Sequence, residues 1–388
     1  MIRVFIHPDE FNPLNGSGSP TCFLPFYLEP DKFTFTHDIN NCDLIPVMVE
    51  DPEKKTTGNN GQVFYPSDLK NIIGEKTNKL VVRMMHTHTT EEAVQGLIYE
   101  RTYNFWKHIA PNFVTVNTDY NAKIYSNGKG VCYDFLWNRQ KAYYYEYDKY
   151  IKGKKLLWSW EATSEMYQLN NIQEMTINDN SRKFLCSNRV TSEGILQQRP
   201  RHLYRMLFLD CLRPPEWGNA LDAYYSDWLS PYGPQVLSSH EEGILEKDGS
   251  NFGGWWPVTN EYFNNTIIST YVETLVGKTF STTITEKTLE PLLKGHFILP
   301  FGYQGMIKDI MRYGFLLPDW IDYSYDSEED TLKRFYLFTR EFLRLREEYS
   351  LEELVKLRNK DINILHHNRM IFEQRPYDSL YEKLYKRI

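Results

Sequence analysis

Short uninterrupted apolar runs recur along this chain, each set off from the next by a stretch of helical spacing or by a loop. Arg3–His7, Cys42–Val49, Leu80–Met85 and Asn112–Val116 read as strands. Between the last two, Ala93, Val94, Leu97, Ile98, Tyr103, Phe105 and Trp106 fall at helical spacing. A strand that is apolar throughout, rather than at every second position, is buried on both faces. Parallel sheets covered by helices bury their strands in this way. A second series begins at Arg182–Cys186 and continues through a helix over Arg199–Leu212, with Pro200 tolerated in its first turn. It runs on through Ala223–Trp228, Thr266–Val272, a helix over Glu286–Lys294, the strand His296–Phe301, and a helix over Gln304–Tyr313 that stops at Gly314. From Glu328 the pattern is helical almost to the end.

A chain of 388 residues is long for one ordinary domain, and two alternating series account for it. The expected architecture is α/β: two Rossmann-like lobes facing a central cleft, with a helical C-terminus. The expected divisions are 1–180, 181–345 and 346–388, with the polar stretch Asn170–Ser181 as linker. Lys123–Tyr125 and Val131–Trp137 read as strands, Asn138–Tyr147 as a Tyr-rich helix, and Ser230–Trp256 as a long surface loop. In open parallel sheets ligands bind beyond the carboxyl ends of the strands, so the cleft is the natural site.

The formal charge of −7 opposes non-specific attachment to nucleic acid or to an anionic membrane, which needs clustered Lys and Arg. The clusters at 152–155, 199–205 and 340–346 leave room for a local basic groove. Five cysteines with irregular spacing and no Cys-x-x-Cys argue against a disulfide framework or a zinc site, and fit reduced thiols in a cytoplasmic protein. No apolar run approaches the ~20 residues of a membrane helix, and the start is too short for a signal peptide. The sequons at Asn15 and Asn264 are then incidental. Aromatic residues make up 15% of the chain, and their flat faces suit cores first, sugars and bases second.

The most informative stretch is Thr282 to Gly314. Thr285 stands before a run of helical spacing and is a good N-cap. Glu286, Lys287 and Thr288 then fill the first turn, where free backbone N–H groups attract an anion. Lys287 adds a cation suited to a diphosphate, and Glu286 a carboxylate that accepts from two ribose hydroxyls. On the residues alone the commoner reading is a capped surface helix with an exposed Glu–Lys pair.

The order Ile284-Thr-Glu-Lys-Thr-Leu, then Pro291-Leu-Leu-Lys-Gly, then His296-Phe-Ile-Leu-Pro-Phe-Gly302 resembles the donor-binding motif of fucosyltransferase- and exostosin-like glycosyltransferases of the GT-B fold. Residues 304–326, the strand ending Asn188-Arg189, the helix Arg199–Arg205 and the patch 133–139 resemble glycosyltransferase-like proteins of phages and large viruses. The likeness covers mainly residues 181–330; the N-terminal half matches no family. It implies a GT-B-like fold and a nucleotide-sugar donor as co-substrate, with no tightly bound cofactor. Glu286 would hold the ribose, and Lys287, Thr285 and Thr288 at the helix start the diphosphate. Arg189 would neutralise the departing phosphate, with Arg201 and Arg205 as further contributors, and Glu273 would contact the sugar. His202 reads as structural.

No Asp-x-Asp pair occurs, which agrees with a metal-independent reaction in which Lys, Arg and a helix dipole stabilise the leaving group. An inverting transfer needs a base for the acceptor hydroxyl, with candidates Asp9, Glu10, His86, His88, Asp119 and Asp134 in the first lobe. Asp119, His86 and Asp9 stand foremost, since each follows a predicted strand. The spacing of His86 and His88 puts both on one side of a strand, but as a metal pair they lack a third ligand. The expected activity is transfer of a sugar to a hydroxyl of a glycan, a small molecule or a hydroxymethylated base of viral DNA. A base inside a duplex would first have to be flipped out. The competing class is a two-lobed protein that binds a nucleotide or nucleic acid without catalysis.

Overall fold

The computed structural model describes residues 1–5, 26, 29–47, 56–57, 63–64, 78–85, 107, 110–117, 130–145, 168–190, 201, 203–205, 207–208, 223–229, 260–277 and 284–388. They fall into two compact units. One draws on 1–164 and 376–388, the other on 165–279 and 284–375. The stretch 346–375 thus belongs to the second unit, and the last thirteen residues, 376–388, to the first.

The first unit is built on a six-stranded sheet. Its strands are β1 (Ile2–Phe5), β2 (Phe33–Thr36), β3 (Leu44–Val47), β4 (Leu80–Met85), β5 (Phe113–Asn117) and β6 (Gly130–Cys132). They are ordered β2-β1-β3-β4-β5-β6, and every pairing is parallel. Ile2, Val4, Leu44, Leu80, Val82, Val114 and Val116 bury the apolar content that marked these runs. β2 was not expected. Its Phe-Thr-Phe-Thr alternation is the signal of a half-covered edge strand, and it does pair at the sheet edge.

The stretch Val131–Trp137 is not one strand. β6 stops at Cys132 and helix α1 (Phe135–Tyr145) begins three residues later. Asp134 marks the change: its carboxylate accepts from Trp137 N at 3.4 Å, as an N-cap does. The chain's last helix, designated α8 here (Leu380–Tyr385), packs Leu380 and Leu384 into the same core. Glu29 accepts from Leu380 N at 2.6 Å and Ser379 Oγ at 2.7 Å, while Asp378 accepts from Asp134 N at 2.8 Å.

The second unit has a four-stranded sheet: β7 (Arg182–Val190), β8 (Ala223–Leu229), β9 (Thr266–Val272) and β10 (Phe297–Phe301). The order is β8-β7-β9-β10, again all parallel. Its helices are α2 (Asn260–Asn265), α3 (Glu286–Lys294), α4 (Met306–Arg312), α5 (Thr331–Glu348), α6 (Leu351–Lys360) and α7 (Ile362–Gln374). Phe184, Ile268, Val272, Leu299 and Phe301 meet Phe335, Phe338, Phe342 and Leu345 of α5 in one core. Thr285, Asp330 and Ser350 cap α3, α5 and α6, the last as a full capping box with Glu353.

The stretch Asn170–Ser181, expected as a linker, has no regular secondary structure, but it is not loose. Ile172 and Met175 are buried in the second core, and Asn359 bonds both the N–H and the carbonyl of Met175. Among the described residues no helix is long and apolar enough to cross a membrane.

Candidate functional site

In the second sheet the strand order reverses between β7 and β9, one continuing to β8 and the other to β10. The carboxyl ends of strands beside such a reversal are where open α/β sheets receive ligands. The sequence that follows β9 and β10 there is Glu273, then α3 from Thr285, and Gly302 leading to α4.

Helix α3 begins where its cap predicts. Thr285 is extended (φ −91°, ψ 180°) and its hydroxyl accepts from Lys287 N at 3.3 Å. The helix ends at Gly295, whose φ of +80° is the left-handed conformation that glycine adopts without strain. Thr288 through Lys294 are buried, and Arg369 of α7 donates to the Leu293 carbonyl at 2.9 Å. Nine residues do not hold a helix in water unaided, so this packing maintains α3.

The free N–H groups expected at its start are largely engaged. Thr285 N donates to Glu273 Oε1 at 3.1 Å, Lys287 N to Thr285 Oγ1, and Thr288 N to the Thr285 carbonyl at 3.1 Å. The reason is Glu273, which lies on the same face of β9 as Ser269 and Tyr271 and is fully buried. Both its oxygens accept from Thr285 Oγ1 at 2.7 Å, Oε1 from Thr288 Oγ1 at 3.0 Å, and Oε2 from Thr274 N at 2.6 Å. Tyr271 adds a further link by donating to Thr288 Oγ1 at 2.8 Å. Glu273 and Thr288 therefore support the helix start from inside and do not line a surface.

Glu286 and Lys287 form an ion pair of 2.7 Å, with side chains 14% and 18% exposed. The pair expected to be exposed is mostly covered. It still reaches solvent at the sheet edge, the one place along α3 where an acid and a base do so side by side.

Arg205 is buried, and its Nε and Nη2 both donate to the Val272 carbonyl, at 3.1 and 3.0 Å. It clamps the end of β9. Arg201, on the same helical stretch, is half-buried. Arg189 lies one residue before the end of β7, and its side chain is outside the description. Asp9, His86 and Asp119 also lie outside the described residues. The strands they follow end at Phe5, Met85 and Asn117. Of the expected bases only Asp134 is described, and it serves α1.

Two supports were missed in the sequence. Arg334 of α5 is buried, donates to the Val276 carbonyl at 2.6 Å and to the Glu328 carbonyl at 2.8 Å, and lies over the Phe301 ring. Asp326 is buried, and its carboxylate accepts from Ile307 N at 3.1 Å at the start of α4. Burial pushes its pKa up to about 6, against the opposing hydrogen bonds from Ile307 and Lys308. A Cβ at Gly302 would overlap Met306 Sδ and touch Glu273 Cβ at 3.5 Å, so the Met306 side chain would have to shift.

The basic cluster 340–346 is largely committed. Arg344 binds Glu341 at 2.6 Å and the Trp320 carbonyl at 2.8 Å, and Arg346 pairs with Glu347 at 3.1 Å. The cluster 152–155 lies outside the described residues. Among the described residues no three His, Cys, Asp or Glu side chains are grouped to hold a metal.

No protein-family model and no curated protein matches the chain. Among solved structures, a crystal structure of an alpha1,3-fucosyltransferase is similar at 12% identity and a TM-score of 0.38, over 98% of this chain and 91% of that one. At that score the likeness carries no inference about this chain.

Proposed function

We propose that the chain is a glycosyltransferase that moves a sugar from a nucleotide-sugar donor to an acceptor hydroxyl. The donor's diphosphate would sit at the edge of the second sheet, at the start of α3. The observation that carries this reading is the partly open Glu286–Lys287 pair on a capped helix beside the strand-order reversal. Lys287 would exchange Glu286 for a phosphate oxygen, and Glu286, so released, would accept from the ribose hydroxyls. Arg189 would supply the second cation from the end of β7. As the leaving diphosphate gains charge, these cations and the helix dipole would stabilise it without a metal. The acceptor would bind the first unit, with Asp9, His86 or Asp119 taking its proton. We place the reaction in the cytoplasm, with a glycan or a hydroxymethylated base of viral DNA as acceptor.

The test is titration of the protein with uridine and guanosine diphosphates, followed by incubation with nucleotide-sugar panels and either oligosaccharides or hydroxymethylated DNA. The expected results are saturable binding that Lys287→Ala weakens about tenfold or more, and a product heavier by one sugar. Absence of nucleotide binding in the unsubstituted protein overturns the donor site. Binding without release of diphosphate on any acceptor favours the non-catalytic class.

A further inference from the structure

We propose that Glu273 is a positioning residue of this donor site: its buried carboxylate fixes where α3 begins and how Lys287 is presented, without touching the ligand. The inference rests on the reading of this edge as a nucleoside-diphosphate site.

Glu273 gathers donors from both sides of the excursion between β9 and α3. Thr274 N comes from the strand side; Thr285 N, Thr285 Oγ1 and Thr288 Oγ1 come from the helix side. A buried carboxylate that loses such partners bears its full desolvation penalty, so the donors and the acid hold one another in place. The acid itself cannot drift. Its N–H donates to the Phe301 carbonyl at 2.7 Å, and Arg205 clamps the preceding carbonyl.

The Thr285 hydroxyl acts in two directions. It gives its proton to Glu273 and keeps a lone pair for Lys287 N. An amide at position 273 would offer one acceptor and one donor where the carboxylate offers two acceptors. Its NH2 would face a threonine oxygen, turn that hydroxyl round, and compete with Lys287 N for the same lone pair. Lys287 lies two residues after Thr285, so a shifted cap moves the cation directly.

The experiment is isothermal titration with uridine, guanosine and adenosine diphosphates on the full chain and on Glu273→Gln, Thr285→Ser, Thr285→Val and Ser269→Ala. Ser269 lies on the same strand face, and its hydroxyl bonds His296 Nδ1 at 2.9 Å. Its loss lowers stability without reaching the start of α3, so it controls for a merely structural effect. We expect Glu273→Gln and Thr285→Val to weaken binding about tenfold, Thr285→Ser to stay close to the unsubstituted chain, and Ser269→Ala to keep its affinity. If Glu273→Gln binds as tightly as Ser269→Ala, the positioning role is overturned while the site stands. If the unsubstituted chain binds none of the three nucleotides, the site reading falls and the positioning role with it. Should Glu273→Gln fail to fold, the Thr285→Ser and Thr285→Val pair decides on the same criterion: equal affinities overturn the role.

Discussion

Replacing Thr285 by Val removes one hydroxyl and keeps the branched shape, so the cost should come from hydrogen bonds alone. Two interactions are lost. The first is the cap to Lys287 N, long at 3.3 Å and so worth about 1 kcal/mol. The second is the donation to Glu273. One proton serves both carboxylate oxygens at 2.7 Å, so it counts once, as a charge-assisted bond of about 1.5–3 kcal/mol. The sum is about 2.5–4 kcal/mol. Thr285→Ser keeps the hydroxyl and gives up one methyl group, about 0.8 kcal/mol at full burial. The difference between the two variants, about 2–3 kcal/mol, isolates the hydroxyl. It can be read from urea unfolding followed by far-UV circular dichroism and by tryptophan fluorescence, which also reveals whether the two units unfold together. Adding Glu273→Gln completes a double-mutant cycle in which the second substitution should cost clearly less once the first is present. If Val and Ser differ by less than about 0.5 kcal/mol, the carboxylate is not held by this hydroxyl and the reasoning fails.

Two further outcomes follow from the same unit. Gly295→Ala should cost about 2–5 kcal/mol, combining a left-handed residue with overpacking, because its Cβ would meet Ile172 Cγ1 at 2.7 Å; adding Ile172→Ala should recover part of the shift in urea midpoint. The pH dependence between 4 and 6 should show two opposed contributions. Burial lowers the pKa of His296 to about 3, so the unfolded chain binds its proton first and stability falls as pH drops below about 6.5. Asp326 has the opposite sign: its folded pKa of about 6 makes stability fall as pH rises from about 4 to 6. Asp326→Asn should therefore leave a steeper rise of stability with pH in that window, and His296→Asn should turn the slope downward; unchanged slopes in both variants would refute the assignment.

The features legible in the sequence are those set by neighbours along the chain. β4, β9 and α3 lie at the predicted residues, since an apolar run or a capped helix declares itself within a few positions. β2 was not predicted and the start of α1 falls inside a stretch that reads as a strand, because each hangs on a few residues, an alternating tetrad in one and Asp134 in the other. Contacts distant in sequence were not legible. Glu273 and Thr285 are twelve positions apart, and nothing local says that the acid would take the helix's first donors. In the sequence Arg334 is one of several basic residues in a helical stretch. Only the packed structure shows it buried over the Phe301 ring, with the carbonyls of Val276 and Glu328 as its partners. Asn170–Ser181 has the composition of a linker, yet Ile172 and Met175 are enough to anchor it.

The charge at the start of α3 leads to one more expectation. Among the described residues at this helix start, Glu273 and Glu286 bring two carboxylates and Lys287 one ammonium, a formal sum of −1. The helix terminus returns only about half a charge, and a diphosphate would meet a site that is not yet attractive. Arg205 and Arg334 do not correct this, since both guanidinium groups are buried on backbone carbonyls. We propose that a further cation comes from another strand end. In the parallel pairing Thr270 stands opposite Cys186, and Arg189 and Glu273 each follow three residues later, which brings them to the same level of the sheet edge. Arg189→Ala should therefore weaken nucleoside-diphosphate binding more than Lys287→Ala, whose loss also frees Glu286 for the ribose. Raising the salt concentration should narrow the gap between Arg189→Ala and the unsubstituted chain, as expected when an added cation is what is missing. If Arg189→Ala keeps its affinity while Lys287→Ala loses it, the diphosphate lies on the α3 side alone and β7 takes no part in holding it.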